Sequence, residues 1–150
     1  MEGKIYRACV QSVMVHGSET WALKVSDTQQ LERTERMMAR WMCGVSLKDR
    51  KSSHELLDRL GIVGVAERVV RSRLRWFGHV ERKSDDDWVS KCRSVAGARR
   101  RGRGRKTWME CVEEDMHRLR LRSEDALDHT FGGMTFWGTV QPVLARKHGR

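Results

Sequence analysis

The spacing of hydrophobic residues predicts helices along most of the chain. Apolar positions recur every three or four residues and indicate a first helix over about residues 4–15 and a second from about Asp27 to Cys43, which ends at Gly44. The positions that carry this period are Ile5, Cys9, Val13, Leu31, Thr34, Met38, Trp41, Met42 and Val45. Residues at such spacing lie on one face of a helix, so these faces are the candidates for the core.

A third and a fourth helix follow in the middle of the chain. Ser52 and Glu55 form a capping-box pattern, which predicts a short helix to Leu60. The fourth helix, over about residues 65–82, gathers its apolar residues on one face. These residues are Ala66, Val69, Val70, Leu74, Phe77 and Val80. Arg73 falls inside that face, where a guanidinium must either extend past its neighbours to solvent or meet a carboxylate.

The remainder of the chain is first polar and then helical again. Thr107 and Glu110 form a second capping box, which predicts a fifth helix to about Leu121. Its inward positions are Trp108, Cys111, Val112, Asp115 or Met116, and Leu119. We therefore predict an all-α fold, a small module of about five to seven helices. It comprises a helical region at 1–83, a disordered basic flexible linker at 84–106 and a C-terminal helical segment at 107–150.

The composition favours one folded body with a polyanionic partner. The 150 residues suffice for one hydrophobic core, and 30 Lys and Arg against 20 Asp and Glu leave a net charge of +10. Nucleic acid is the commonest partner of such a charge, and an anionic membrane surface is the alternative. Because the sequence has no apolar run of about 18 residues and its first residues are unlike a signal peptide, we expect an intracellular protein of the nucleus or cytoplasm.

The cysteine spacing argues against a metal site. Cys9, Cys43, Cys92 and Cys111 are too far apart for a zinc module or a dense disulfide framework. We expect reduced, mostly buried thiols, with Cys9 and Cys111 on apolar helix faces.

Two patterns that resemble catalytic motifs do not complete them. His54-Glu55 begins like a zinc-protease helix, but Asp58 stands where the second histidine is required. Asp85, Asp86 and Asp87 lie in a polar loop instead of on rigid strands, so we expect them to cap or neutralise neighbours. The sequence predicts no catalytic residue, no metal and no cofactor for this chain.

The strongest functional signal is an arginine-rich run from 99 to 106, which has six cations in eight residues and no acid. Its candidate nucleic-acid-binding residues are Arg99, Arg100, Arg101, Arg103, Arg105 and Lys106. Glycines between arginines suit insertion into the minor groove of DNA. The alternatives are a solvated linker and a nuclear-import tag.

A second basic surface is predicted on the fourth helix, opposite its apolar face. Its members are Arg68, Arg71, Arg75, His79 and Arg82. A straight row of cations suits a phosphate backbone, and Trp76 at the margin could stack on a base while Phe77 points inward. The alternative is an ordinary solvated face.

Four short blocks, taken together, carry a resemblance to a known family. They are Gly17-Ser18-Glu19-Thr20-Trp21, Met42-Cys43-Gly44-Val45, Leu74-Arg75-Trp76-Phe77-Gly78-His79-Val80 and Gly102-Arg103-Gly104-Arg105-Lys106-Thr107-Trp108. Their order and spacing, from about Ile5 to Asp128, are similar to the thumb and post-thumb region of non-LTR (LINE-type) retrotransposon reverse transcriptases. The chain departs from the family at Gly104 or Arg105, where a proline is usual, and at His16, where an aromatic residue is common.

The resemblance implies handling of template or target nucleic acid by a truncated copy of such a transposable element. The family's catalytic carboxylates lie in a palm domain, and no residue here matches them. We therefore expect a fragment that binds RNA or DNA, with a polymerase core domain outside this chain as a possible partner. The alternatives are a non-functional or protein-interaction fragment, and RNA-directed DNA polymerase activity only when the chain is joined to a polymerase core.

Overall fold

The computed structural model describes residues 2–84, 86–89, 91, 104 and 106–122. These residues form helices, turns and connecting segments, and no strand occurs among them. The predicted all-α class is therefore confirmed.

The helices lie close to the predicted positions. In chain order they are α1 (Glu2–Ile5), a π-helix (Tyr6–Val10), α2 (Gln11–Met14), a 3₁₀ turn (Ser18–Thr20), α3 (Val25–Cys43), a second 3₁₀ turn (Leu47–Asp49), α4 (Ser53–Leu60), α5 (Val65–Glu81) and α6 (Trp108–Leu119). Helix α3 begins two residues before the predicted start because Asp27 lies inside its first turn. There its carboxylate accepts a hydrogen bond from the backbone N–H of Lys24 at 3.1 Å.

Both predicted capping residues begin a helix. The Ser52 hydroxyl accepts from the backbone N–H of Glu55 at 3.1 Å, while the Glu55 carboxylate pairs with Lys51 instead of reaching back. At α6 the box is complete, since Thr107 accepts from the Glu110 N–H at 3.3 Å and the Glu110 carboxylate accepts from the Thr107 N–H at 2.7 Å. These bonds satisfy amides that have no partner within the helix.

The chain divides into two compact units. The N-terminal unit contains residues 2–18 and 23–71, and the C-terminal unit contains residues 19–22 and the described residues from 72 to 122. Helix α5 supplies residues to both, because the division falls between Arg71 and Ser72. The predicted boundaries at 84 and 106 stay a prediction, since residues 92–103, 105 and 123–150 lie outside the described residues.

The first helical stretch buries a different face from the predicted one. Ile5 and Val13 are exposed, and Cys9 is exposed as well, so the prediction of a buried Cys9 is wrong. The buried side chains are Tyr6, Gln11 and Val15. The π-helix at Tyr6–Val10 explains the difference, because its wider turn adds a residue and moves the inward positions five residues apart.

The N-terminal unit combines an apolar cluster with a buried polar network. Val15, Val65 and Val69 are buried together, and Met14, Leu23 and Leu31 pack against them. In the network, the buried carboxylate of Glu35 accepts from Gln11 Nε2 at 3.0 Å and from the backbone N–H of Val65 at 2.8 Å. Glu35 thereby caps the start of α5, which is a role that the apolar pattern of the sequence does not indicate.

Helix α3 turns only part of the predicted face inward, since Leu31 packs against the core and Trp41 does not. Its buried residues are Glu35 and Ala39, whereas Trp41 is 77% exposed. Trp41 lies two positions after Ala39, which is a rotation of about 200° around the helix axis. The aromatic ring is therefore a surface feature of this helix.

The C-terminal unit has a mainly apolar interior supplied by α5 and α6. Its buried side chains are Leu74, Phe77, Val80, Cys111, Val112, Met116 and Leu119, which confirms the inward positions predicted for Phe77 and Cys111. Arg73 is 5% exposed and meets a carboxylate, with 2.6 Å between its Nη1 and Oδ2 of Asp115. Of the two alternatives for Arg73, burial with a partner is the observed one.

The carboxylate of Asp115 serves two arginines. Its Oδ1 accepts from Arg118 at 3.0 Å, while its Oδ2 accepts from Arg73. Burial raises the pKa of the Asp115 carboxyl, and the charges of the two guanidinium groups oppose that rise.

We expect Gly3→Ala to destabilise the N-terminal unit. A Cβ built on Gly3 overlaps the carbonyl oxygen of Leu60, and backbone cannot move aside as a flexible side chain would. The expected loss in the free energy of unfolding is about 1–3 kcal/mol, measured by urea denaturation followed by circular dichroism. Gly64→Ala is the matched control, since its Cβ meets only ordinary contacts at 3.7 Å. Equal stability of the two variants would contradict the close approach at Gly3.

Candidate nucleic-acid interface

Most of the predicted arginine-rich run lies outside the described residues. Arg99, Arg100, Arg101, Arg103 and Arg105 belong to that part, and Lys106 is the one member that the structure describes. The half-buried ammonium of Lys106 donates a hydrogen bond to the carboxylate of Glu114. This bond raises the pKa of Lys106, so its positive charge is retained but already compensated inside the unit.

Two arginines of the predicted α5 face take part in bonding within the N-terminal unit. Arg68 Nη1 donates to Oε1 of the fully buried Gln11 at 2.9 Å, and Arg71 forms an ion pair with Glu67. Both arginines are half-buried. Their side chains therefore support the fold of that unit, which the helical period alone does not reveal.

The other three members of that face lie around one cleft in the C-terminal unit. Arg75, His79 and Arg82 are exposed and line a recess of about 460 Å³, here called the Trp76 cleft. The complete lining is Glu19, Ser72, Arg75, Trp76, His79 and Arg82. Steps of three and four residues bring side chains of a helix to the same side, so the regular turn of α5 is what gathers most of these groups.

An aromatic pair forms part of the cleft. The rings of Trp76 and His79 are stacked, with centroids 5.2 Å apart and an interplanar angle of 28°. Trp76 is half-buried and His79 is exposed, so this pair combines a partly covered ring with an accessible one. A stacked pair of this kind can extend onto a further flat ring.

Glu19 reaches the cleft from a distant part of the sequence. Its segment is held by Trp108, whose indole Nε1–H donates to the backbone carbonyl of Glu19 at 2.6 Å. The Trp108 ring in turn lies 6.3 Å from that of Phe77, in a tilted arrangement. Glu19 was not predicted as a site residue, because it is far from α5 in the sequence and a long-range hydrogen bond holds its segment.

The cleft joins arginines to the carboxylate of Glu19, which has no bonding partner among the described residues. Neither Glu19 nor Arg75 makes a side-chain hydrogen bond or an ion pair within the described part of the chain.

Asp87 accepts from the backbone N–H of Val89 at 3.0 Å, and its carboxylate lies 3.3 Å from Lys83 Nζ. The Val89 bond lowers the pKa of Asp87, and these contacts confirm for Asp87 the expected capping and neutralising role.

A second basic and aromatic surface lies in the N-terminal unit. This Trp41 groove, of about 550 Å³, is lined by Arg33, Arg36, Met37, Arg40, Trp41, Val45, Ser46 and Leu47. Arg40 donates to the backbone carbonyls of Ser46 at 3.3 Å and Lys51 at 3.2 Å, so it holds the loop that follows α3. This groove was not predicted, because the helical period places Trp41 on the apolar face of α3.

No metal centre is visible in the ranges that the structure describes. His54 Nδ1 lies 2.8 Å from Asp58 Oδ2, and both side chains are exposed, so the pattern similar to a zinc-protease helix forms a surface pair on α4. No three His, Cys, Asp or Glu side chains among the described residues come together as metal ligands would. Within the same residues, no helix is both long enough and apolar enough to cross a membrane.

The geometry therefore isolates one cleft at which exposed cations, an aromatic pair and a carboxylate converge. Comparison with protein-family models, with curated proteins and with solved structures gave no match.

Proposed function

We propose that this chain binds the backbone of RNA or DNA through the Trp76 cleft and the arginine-rich run at 99–105. The observation that carries the proposal is the gathering of Arg75, His79 and Arg82, all exposed, around a cleft that contains an aromatic pair. The net charge of +10 adds a long-range attraction for any polyanion.

The arrangement of Arg75, His79 and Arg82 suits phosphates better than it suits a compact anion. These residues succeed one another along α5 and the residue after it, at about one helical turn of 5.4 Å per step. A linear row of two guanidinium groups and a hydrogen-bonding imidazole matches a linear series of phosphates, and guanidinium groups bind phosphate oxygens in a bidentate manner. Such contacts position a nucleic acid without reading its sequence.

Within this proposal the chain acts as the thumb or post-thumb part of a non-LTR retrotransposon reverse transcriptase. The resemblance of the four sequence blocks supports this assignment, and two of those blocks supply Glu19, Arg75, Trp76 and His79 of the cleft. RNA-directed DNA polymerase activity is then expected only when the chain is joined to a polymerase core. Without that core we expect binding and no primer extension.

Binding is expected to weaken steeply with salt. If about six phosphates are neutralised, the slope of log affinity against log salt should be on the order of −5. The double substitution Arg75→Gln and Arg82→Gln should reduce the magnitude of the slope by about 2, because two phosphate contacts are lost. The measurement is fluorescence anisotropy of labelled RNA and duplex DNA across a salt series.

The control pair Lys48→Gln and Arg59→Gln removes the same charge from the N-terminal unit. It should leave the slope nearly unchanged, and an equal reduction of the slope would assign binding to net charge alone.

Replacing Arg99, Arg100, Arg101, Arg103 and Arg105 by serine should remove most of the binding to nucleic acid and leave the helical content intact. A slope near zero for the unmodified chain would overturn the proposal.

A protein-interaction module is the second candidate function, and the Trp41 groove favours it. Trp41 is 77% and Leu47 79% exposed, beside Met37 at 49%. Tryptophan, methionine and arginine are enriched at protein interfaces, and here Arg33 and Arg36 line the same groove. Retention of nucleic-acid binding by Trp41→Ala would separate this groove from the proposed site.

A further inference from the structure

We infer that the Trp76 cleft seats one unpaired base, preferentially a base with an amino group, and that the chain therefore binds single strands more tightly than duplexes. The inference rests on the proposed function and adds the state of the nucleic acid and the part of it that is recognised. Its three supports are the size of the cleft, the aromatic pair and the carboxylate of Glu19.

The size of the recess exceeds what phosphate contacts require. Cations that follow a nucleic-acid backbone need only a surface, whereas cavities that enclose part of a small organic molecule begin at about 300 Å³. The Trp76 cleft is an open recess of about 460 Å³, lined in part by Arg75 and Arg82. A base can therefore lie in the recess while the phosphate of the same nucleotide contacts a guanidinium.

The aromatic pair provides a surface for that base. Trp76 and His79 are already stacked at 5.2 Å, and the ring of His79 is exposed. Stacking on a protein ring is open to a base only when it has left its own helical stack, because bases within a duplex are covered on both faces. The pair thus favours single strands without favouring one sequence.

Glu19 is the group that a plain phosphate site would not contain. A carboxylate repels phosphates, yet Glu19 lines the same cleft as Arg75, and its carboxylate makes no hydrogen bond or ion pair within the described residues. The same oxygens can accept hydrogen bonds from an exocyclic amino group, as acidic side chains do with the amino group of cytosine. In one nucleotide, the Glu19 carboxylate would accept from the edge of the base, the aromatic pair would stack on its face, and Arg75 would bind the phosphate.

The test compares fluorescein-labelled oligo(dC), oligo(dT) and a mixed-sequence duplex of equal length, measured by anisotropy with the full chain at one salt concentration. We expect tighter binding of oligo(dC) than of the duplex, and tighter binding of oligo(dC) than of oligo(dT). Trp76→Ala should weaken oligo(dC) binding by about tenfold, the effect of one lost stacking contact, and leave the duplex within about twofold. Trp88→Ala, which removes a 73% exposed tryptophan of the same unit, should change neither.

Glu19→Ala separates base recognition from charge. It should abolish the preference for oligo(dC) over oligo(dT) while raising affinity for both strands, because a repulsive charge is removed. The backbone carbonyl that holds Trp108 is kept in this variant. A preserved preference would remove Glu19 from the inference.

The outcomes distinguish this inference from the proposed function. Absence of binding to all three probes would overturn the proposed function itself. Equal binding of strands and duplex, with equal losses in Trp76→Ala, would leave backbone binding in place and overturn the base site. If Trp76→Ala fails to fold, Trp76→Phe should keep the strand preference and Trp76→Leu should lose it, and equal behaviour of these two variants would also overturn the inference.

Discussion

Asp115→Ala is expected to lower the free energy of unfolding of the C-terminal unit by about 3–5 kcal/mol, because it leaves the guanidinium of Arg73 buried without its counter-ion. Asp115 is 7% exposed and Arg73 5% exposed, with 2.6 Å between their charged atoms. Removing one partner of such a pair costs far more than the pair contributes, since the remaining charge keeps its desolvation penalty. Urea denaturation monitored by tryptophan fluorescence measures the loss.

Two further variants identify the cause of that loss. The double substitution Arg73→Met and Asp115→Leu should restore most of the stability, because no charge is then buried and Nε of Arg73, which has no hydrogen-bond partner among the described residues, is removed as well. Lys51→Ala with Glu55→Ala breaks an exposed pair at 2.8 Å and should cost less than about 1 kcal/mol. A double variant as unstable as Asp115→Ala would show that packing, and not charge, controls this site.

Glu35→Ala is expected to destabilise the N-terminal unit by about 2–4 kcal/mol, because three buried groups lose the acceptor that Glu35 provides. These groups are the Tyr6 hydroxyl, the backbone N–H of Val65 and Nε2 of Gln11, which keeps a bond to the carbonyl of Val63, and Glu35 itself is 3% exposed. Glu32→Ala removes a carboxylate of the same helix that accepts no hydrogen bond from this network, and it should change stability by about 0.5 kcal/mol or less. Urea denaturation at constant pH compares the two variants.

The same carboxylate predicts a dependence on pH. Burial raises the pKa of Glu35 above its ordinary value of 4.5, which outweighs the hydrogen bonds that lower it. A raised pKa in the folded state gives stability that is complete below the ordinary value and is lost as the pH rises through the folded value. The stability of the unmodified chain minus that of Glu35→Gln should therefore fall as the pH rises from below 4.5. A constant or growing difference would contradict the raised pKa.

The sequence predicted the helices well because their signals are local. The spacing of apolar residues located the long helices to within a few residues, and Ser52 and Thr107 marked two helix starts through bonds to residues three positions away. The inward face of the first helical stretch was not predicted, and that of α3 was predicted only in part, because Leu31 faces the core while Trp41 does not. In the first, a π-helix changes the spacing, and in α3 a glutamate is buried because donors from distant positions surround it.

The candidate site was predicted only in part, for the same reason. Periodicity placed Arg75, His79 and Arg82 on one side of α5, and the structure shows them around one cleft. Periodicity could not show that Arg68 is bound to Gln11, nor that Glu19 joins the cleft. Both facts depend on contacts between residues more than fifty positions apart, which no local pattern encodes.

The hydrogen bond from Trp108 to the carbonyl of Glu19 has a consequence for how the chain folds. It closes a loop of 89 positions, so the entropy of bringing its ends together must be overcome before the contact contributes stability. During synthesis on a ribosome, residues 19–22 emerge long before their partner. The C-terminal unit is therefore completed only after α6 has been translated, and a fragment that starts at residue 72 would lack one wall of its own cleft.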